Sequence, residues 1–192
     1  EGLGYEFYIS DKNRLFVEKL LKEKGIENGE KFVILNPGGN WDPKRWPKEN
    51  FAELADMLIN KFGVKIVITG SGRDVALTND IKSLMKNKPV VLAGSTNLKE
   101  LGALMAKSKL VVANDSGPMH IAVSQKVNTI ALFGPTKPEL TGPYGKGNFA
   151  VIFHDIGCEV PCYGFNCGKP RCMGVIKPED VVKKIEELKF LS

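Results

Sequence analysis

Residues 110–123 read LVVANDSGPMHIAV. The stretch opens as an apolar run with the character of a buried strand, breaks at Asn114-Asp115-Ser116-Gly117, and continues with helical character. The spacing predicts a strand over 109–115 and a helix over 117–125. A strand that enters a helix through a tight polar turn is half of a βαβ unit, which requires a parallel neighbour. Ligands of such sheets gather at the carboxyl ends of the strands. The joint holds a carboxylate, a hydroxyl and a glycine. His120, one of two histidines in the chain, lies one helical turn beyond.

The same alternation extends in both directions. Upstream, 14–24 places Leu15, Phe16, Leu20 and Leu21 at helical spacing and stops at Gly25. KFVILNP (31–37) is a strand, PKENFAELADMLINKF (47–62) an amphipathic helix with Gly63 past its end, and VKIVITG (64–70) a strand. Residues 73–86 are a helix, 90–94 a strand and 97–107 a helix. Downstream, 128–134 is a strand, 149–153 a candidate edge strand, and 177–191 a closing helix with Pro178 and acids in its first turn. The strands are continuous Val/Ile/Leu runs rather than alternating ones, as when helices cover both faces. The expected fold is a doubly wound, mainly parallel α/β sheet.

The bulk numbers agree with one soluble domain. The chain has 192 residues, 43% hydrophobic and 26% charged, with a net charge of +5. That mild excess suits an anionic small ligand or an acidic membrane surface. No dense basic stripe with interleaved aromatics points to nucleic acid. No run of eighteen apolar residues could span a bilayer. EGLGYEFYIS lacks the basic start and apolar core of a secretory leader. The chain opens without Met, as expected of a fragment or a processed protein. There is no internal repeat and no low-complexity tract.

The strand ends carry the chemistry. The first ends in NPGGNWDPKRWP, where Gly38 and Gly39 let backbone approach a ligand and Lys44 and Arg45 supply cations beside an exposed loop. An isolated Pro-Gly-Gly would be a plain turn. Trp46 reads as packing, stapled against Phe51 across a helix start. The second ends in GSGRD (70–74). Its Gly-x-Gly lacks the third glycine of the dinucleotide fingerprint and follows the second strand, against a nicotinamide dehydrogenase. Asp74 suits either the helix dipole or a ribose contact. The third ends in AGSTNL (93–98), with Thr96 or Asn97 as helix cap or as one wall of a base pocket. At the fourth, Asn114 or Asp115 can cap the next helix, and Ser116 and Gly117 offer a hydroxyl and bare N–H groups to an anion. His120 lies on the Ser116 face of that helix, toward the ligand or into the adjoining core. The fifth, FGPTKPEL (133–140), adds Thr136 and Lys137, suited to a phosphate or a sugar hydroxyl. Together these ends describe a nucleotide pocket, with a diphosphate as its natural anion.

NPGGNWDPKRWPKENFAELADML, GSGRD, LAGSTNLKELGALMAKSKLVVANDSGPMHIAVS and LFGPTKPE occur in the order found in the ADP-heptose:lipopolysaccharide heptosyltransferases. The chain therefore resembles glycosyltransferase family 9, from about residue 31 to about 188. The combination of KRWP, NDSGPMH and FGPT is specific; each alone is weak. The resemblance implies the GT-B architecture of two Rossmann-like domains, of which this chain corresponds to the second, donor-binding one. Residues 1–30 would be an interdomain segment and helix, and 31–192 the nucleotide-sugar domain. The acceptor domain, which carries the proposed general base, would lie outside the chain.

By that resemblance Lys44 matches the lysine on the diphosphate, and Ser116 and Gly117 the phosphate-binding helix start. Asp115 matches the acid near the transferred sugar and His120 the histidine after it. Residues 94–98, with Thr96 and Leu98, match the adenine segment, and Asp74 an acid on the ribose. Gly38 and Gly39 stand where some members carry hydroxyl residues, so backbone N–H groups would replace those contacts. The implied reaction is inverting transfer of heptose from ADP-heptose to a sugar hydroxyl of the lipopolysaccharide core. The implied place is the cytoplasm, in peripheral contact with the inner face of the bacterial inner membrane. No metal is chemically required if cations and N–H groups stabilise the leaving diphosphate, and no DxD-like pair appears.

Cys158, Cys162, Cys167 and Cys172 stand at spacing C-x3-C-x4-C-x4-C in one loop, and the tail they occupy looks like the Cys-rich tail of some members. Three states are open: free thiols, a structural site for zinc or another thiophilic metal, and disulfides. Two further readings stand beside the lead one. One is a family 9 relative with another nucleotide sugar or acceptor. The other is a stand-alone nucleotide-binding module whose Cys loop binds metal.

Overall fold

The computed structural model describes residues 6–145, 147–162, 167 and 171–191. Fourteen elements follow in chain order: α1 (Asp11–Glu23), β1 (Phe32–Asn36), α2 (Lys48–Phe62), β2 (Lys65–Ile68), α3 (Val75–Leu84), β3 (Val90–Val91), α4 (Leu98–Lys107), β4 (Leu110–Asn114), α5 (Gly117–Ser124), β5 (Thr129–Phe133), α6 (Pro138–Thr141), β6 (Phe149–Phe153), α7 (Arg171–Gly174) and α8 (Pro178–Glu187). The six strands form one sheet in the order β3-β2-β1-β4-β5-β6. Every pairing is parallel, as the unbroken apolar strands predict.

Alternate residues of each strand feed two cores, because side chains point to opposite faces with a period of two. Val33, Leu35, Ile66, Ile68, Leu110, Val112, Ile130 and Leu132 pack beneath α2, α3 and α8, against Phe51, Leu54, Ile81 and Ile185. Phe32, Ile34, Val67, Val111, Ala113, Ala131 and Phe133 pack on the other face against Val17 and Leu21 of α1, Leu104 of α4 and Met119 of α5. Residues 9–26, read from sequence as interdomain, thus contribute Ile9, Val17, Leu21 and Ile26 to this unit's own core.

Local signals set the helix ends. Asn97 caps α4 in a reciprocal box with Glu100. Gly63 closes α2 at φ 62° and Gly25 follows α1 at φ 75°, both in the left-handed region where glycine pays no steric cost. Trp46 and Phe51 bracket the start of α2, their rings 4.9 Å apart and nearly perpendicular, and the Trp46 indole N–H donates to the Ile176 carbonyl at 2.9 Å. The expected staple is present. Its tryptophan also ties α2 to the segment before α8.

Strand β3 is shorter than the expected 90–94. After Val91 the chain turns through Gly94 at φ 74°, whose N–H donates to the Gly70 carbonyl.

Candidate functional site

The order β3-β2-β1-β4-β5-β6 reverses direction between β1 and β4, and a crevice opens outside the carboxyl ends of such a pair. Buried asparagines build its floor. Asn36, the last residue of β1, donates from Nδ2 to the Thr69 hydroxyl beyond β2. Asn114, the last residue of β4, accepts from the Trp46 N–H at 3.1 Å and donates to the Pro37 carbonyl at 2.8 Å. Each amide carries both donors and acceptors: Asn36 ties β1 to a hydroxyl beyond β2, and Asn114 satisfies the backbone of the loop after β1. In the sequence Asn36 read as a strand end only, and Asn114 as a candidate cap for the next helix. A polar amide closing a run of buried aliphatics was the available signal.

Over this floor lies a cavity of about 770 Å³ lined by Gly38, Gly39, Lys44, Asp74, Thr96, Leu98, Asp115, Ser116 and Gly117, all predicted site residues. The volume is that of a small-molecule cleft. Loops from four strands supply it, so residues far apart in sequence share one wall.

Lys44 ends a single 3-10 turn, Asp42–Lys44. Its ammonium lies 2.7 Å from Asp115 Oδ2, with the lysine side chain 22% and the aspartate 5% exposed. Asp115 does not cap α5, as expected from sequence, and neither does Asn114. The N-cap is Ser116, without a side-chain bond into the helix; its hydroxyl donates to the Asn114 carbonyl. Asp115 Oδ2 accepts from Lys44, from the Thr136 hydroxyl at 2.7 Å and from the Thr141 hydroxyl at 3.1 Å. Gly117 is the first residue of α5 and is exposed on the cavity wall. Its N–H belongs to a helical turn whose donors have no intrahelical acceptor. Helix dipole, N–H group and Lys44 together offer donors that can hold an anion beside a carboxylate.

Arg45, read as a second cation for the ligand, serves the loop. Its guanidinium donates twice to the Gly39 carbonyl and pairs with Asp42 at 2.9 Å. Asp74 lines the cavity, and its Oδ2 accepts from the backbone and hydroxyl of Ser71 in a capping box. Glycines make room for it: a Cβ at Gly38 would stand 2.9 Å from Asp74 Oδ2, and one at Gly70 2.7 Å from Asp74 Cβ.

Three predicted residues, Thr136, Lys137 and His120, stand apart from the cavity wall, and Lys137 lines a neighbouring cavity. Thr136 is buried and reaches the site through Asp115. His120 is half-buried on α5. Burial holds its pKa below the ordinary value, the carboxylate of Asp115 opposes that shift, and Lys44 adds to it.

The zinc expectation gains no support. No disulfide joins the four cysteines, and among the described residues no group of three His, Cys, Asp or Glu is placed to hold a metal ion. The cysteines line a separate, mainly apolar cavity of about 90 Å³. There Cys172 packs so close to β5 that a Cβ on Gly134 would stand 3.1 Å from its sulfur, and burial raises its pKa. The four cysteines share this cavity wall, but among the described residues they do not converge as a metal centre requires. No helix among the described residues is long and apolar enough to cross a membrane.

Residues 5–164 match the family model described as glycosyltransferase family 9 (heptosyltransferase). Over 194 aligned residues, 97% of this chain, the sequence is 35% identical to lipooligosaccharide heptosyltransferase 2 of Campylobacter jejuni. Among solved structures, a glycosyl transferase family 9 protein of Veillonella parvula superposes over 100% of the chain with a TM-score of 0.85 and 30% identity. An Escherichia coli ADP-heptose LPS heptosyltransferase II superposes over 95% with a TM-score of 0.80 and 27% identity. The chain spans 60% of the Campylobacter protein and 56% and 53% of the two solved chains.

Proposed function

Because the chain belongs to glycosyltransferase family 9, we propose that it is the donor-binding half of an inverting heptosyltransferase that uses ADP-heptose to build the lipopolysaccharide core. The observation that carries this reading is the convergence of Lys44, Asp115 and the start of α5 at the switch point of the sheet. Similarity to lipooligosaccharide heptosyltransferase 2 and to an ADP-heptose-named solved structure supplies the donor and the acceptor class. The acceptor and its general base belong to the part of the relatives that the chain does not span. The net charge of +5 suits an enzyme working in the cytoplasm at the acidic inner face of the membrane, where a lipid-linked acceptor is met.

In this reading the diphosphate lies at the N-terminus of α5, against the Gly117 N–H and Lys44. The glycines at 38 and 39 admit phosphate or ribose close to backbone. Thr96 and Leu98 flank the adenine, and the unshared oxygen of Asp74 faces the ribose. As the bond from the sugar to the β-phosphate breaks, negative charge grows on the leaving ADP. The lysine and the helix dipole are already oriented toward that charge, so no reorganisation is needed at the transition state. Asp115 borders the transferred sugar, and His120 acts from behind it on α5.

Calorimetric titration with ADP, with UDP, GDP and NAD as controls, tests the reading. ADP binds selectively, and Lys44→Ala weakens it by about 1–3 kcal/mol, the range of a charge-assisted hydrogen bond. Equal affinity of wild type and Lys44→Ala would remove the lysine from the diphosphate.

A further inference from the structure

Three donors meet one oxygen of Asp115. Lys44 Nζ and Thr136 Oγ1 each lie 2.7 Å from Oδ2, and Thr141 Oγ1 lies 3.1 Å from it. A carboxylate that served only to neutralise Lys44 would need neither hydroxyl. Thr136 comes from the turn after β5 and Thr141 is the last residue of α6, so the approach to α6 and its end both reach one oxygen. Lys44, Thr136 and Thr141 also line a second cavity of about 310 Å³, which shares Lys44 and Trp41 with the nucleotide cavity.

Three bonds converging on Oδ2 pin that oxygen in place. A diphosphate that engages the Lys44 ammonium draws charge away from the ion pair, while the two hydroxyls stay. We propose that Thr141 is a positioning residue: together with Thr136 it holds Asp115 Oδ2, so that Oδ1 accepts a hydroxyl of the donor sugar. Sugar recognition is then set separately from nucleotide binding, by a residue outside the nucleotide cavity. This inference rests on the reading of the cleft as a donor site.

Thr141 is exposed, so exchanging its hydroxyl for a methyl disturbs no core packing, and serine keeps the hydroxyl. The experiment is calorimetric titration of wild type, Thr141→Val and Thr141→Ser with ADP and with ADP-heptose. Wild type binds ADP-heptose about tenfold more tightly than ADP, the scale of one hydrogen bond to a charged group. Thr141→Val loses that preference while its ADP affinity stays within about twofold, and Thr141→Ser restores it. A preference retained in Thr141→Val overturns the inference. So does a parallel loss of ADP and ADP-heptose affinity, which is the mark of a merely structural role. Equal affinity of wild type for the two ligands overturns it while leaving the nucleotide site standing, and no binding of either ligand overturns both.

Discussion

At the scale of single residues, the cleft depends on buried side chains that hold its loops. Asn114 is fully buried, and its amide joins β4 to the Pro37 carbonyl and the Trp46 backbone. Asn114→Leu, close to isosteric, strands those two partners in a dry environment. The expected cost is about 1–3 kcal/mol per orphaned group, read as a lower midpoint in urea denaturation; an unchanged midpoint would mean water replaces the amide. The sequence showed which residue types stood at the strand ends, and Lys44, Asp115, Ser116 and Gly117 could be grouped from that alone. It did not show which of them face the ligand and which hold a loop. Arg45 and Lys44 are adjacent cations, yet Arg45 is directed to the Gly39 carbonyl and Asp42 while Lys44 faces Asp115. A planar guanidinium suits a carbonyl and carboxylate fork and a compact ammonium suits a shared cleft, but the choice between them is made by the 3-10 turn, which has no periodic signature.

At the scale of elements, boundaries followed local chemistry where that chemistry was conventional. Gly25 and Gly63 stop helices as their positions suggested. Helix α1 begins three residues before the expected 14 because Ser10 and Asn13 form a capping box, with asparagine in the place more often held by Glu or Gln. The short helices α6 and α7 are too brief for a hydrophobic period to reveal them, and α6 delivers Thr141 to Asp115. Helix α5 carries a pH dependence of its own. Burial lowers the pKa of His120 in the folded chain, against the pull of Asp115. The unfolded chain therefore binds that proton more readily, so the stabilising contribution of neutral His120 is complete above about pH 6.5 and declines as pH falls below it. Between about pH 7.5 and about pH 5.5, the urea midpoint of wild type should fall more than that of His120→Gln. Equal falls would assign the acid sensitivity to other groups, although the lowered carboxylates Asp56 and Asp180 titrate well below this window.

At the scale of the whole molecule, the doubly wound sheet was legible because its signal is global. Five apolar strands alternating with amphipathic helices leave few topologies once crossovers are right-handed. The order of strands was not legible, since no local residue records whether β4 returns beside β1 or beyond β3. That order decides function: it sets β1 and β4 side by side and so brings Lys44 to Asp115, 71 positions apart. It also sets the cysteine-lined cavity apart from the cleft over β1 and β4, the two sharing Trp41, so a cysteine cluster close in sequence does not line that cleft. The donor reading places ADP at the switch point between β1 and β4. The most direct test is to follow the backbone amide resonances of the isotope-labelled chain while ADP is added. The prediction is that the largest shifts fall on Gly38, Gly39, Ser116 and Gly117. Shifts concentrated instead at the opposite end of the sheet, around the cavity of Lys22, Asn28, Lys107 and Lys109, would contradict it.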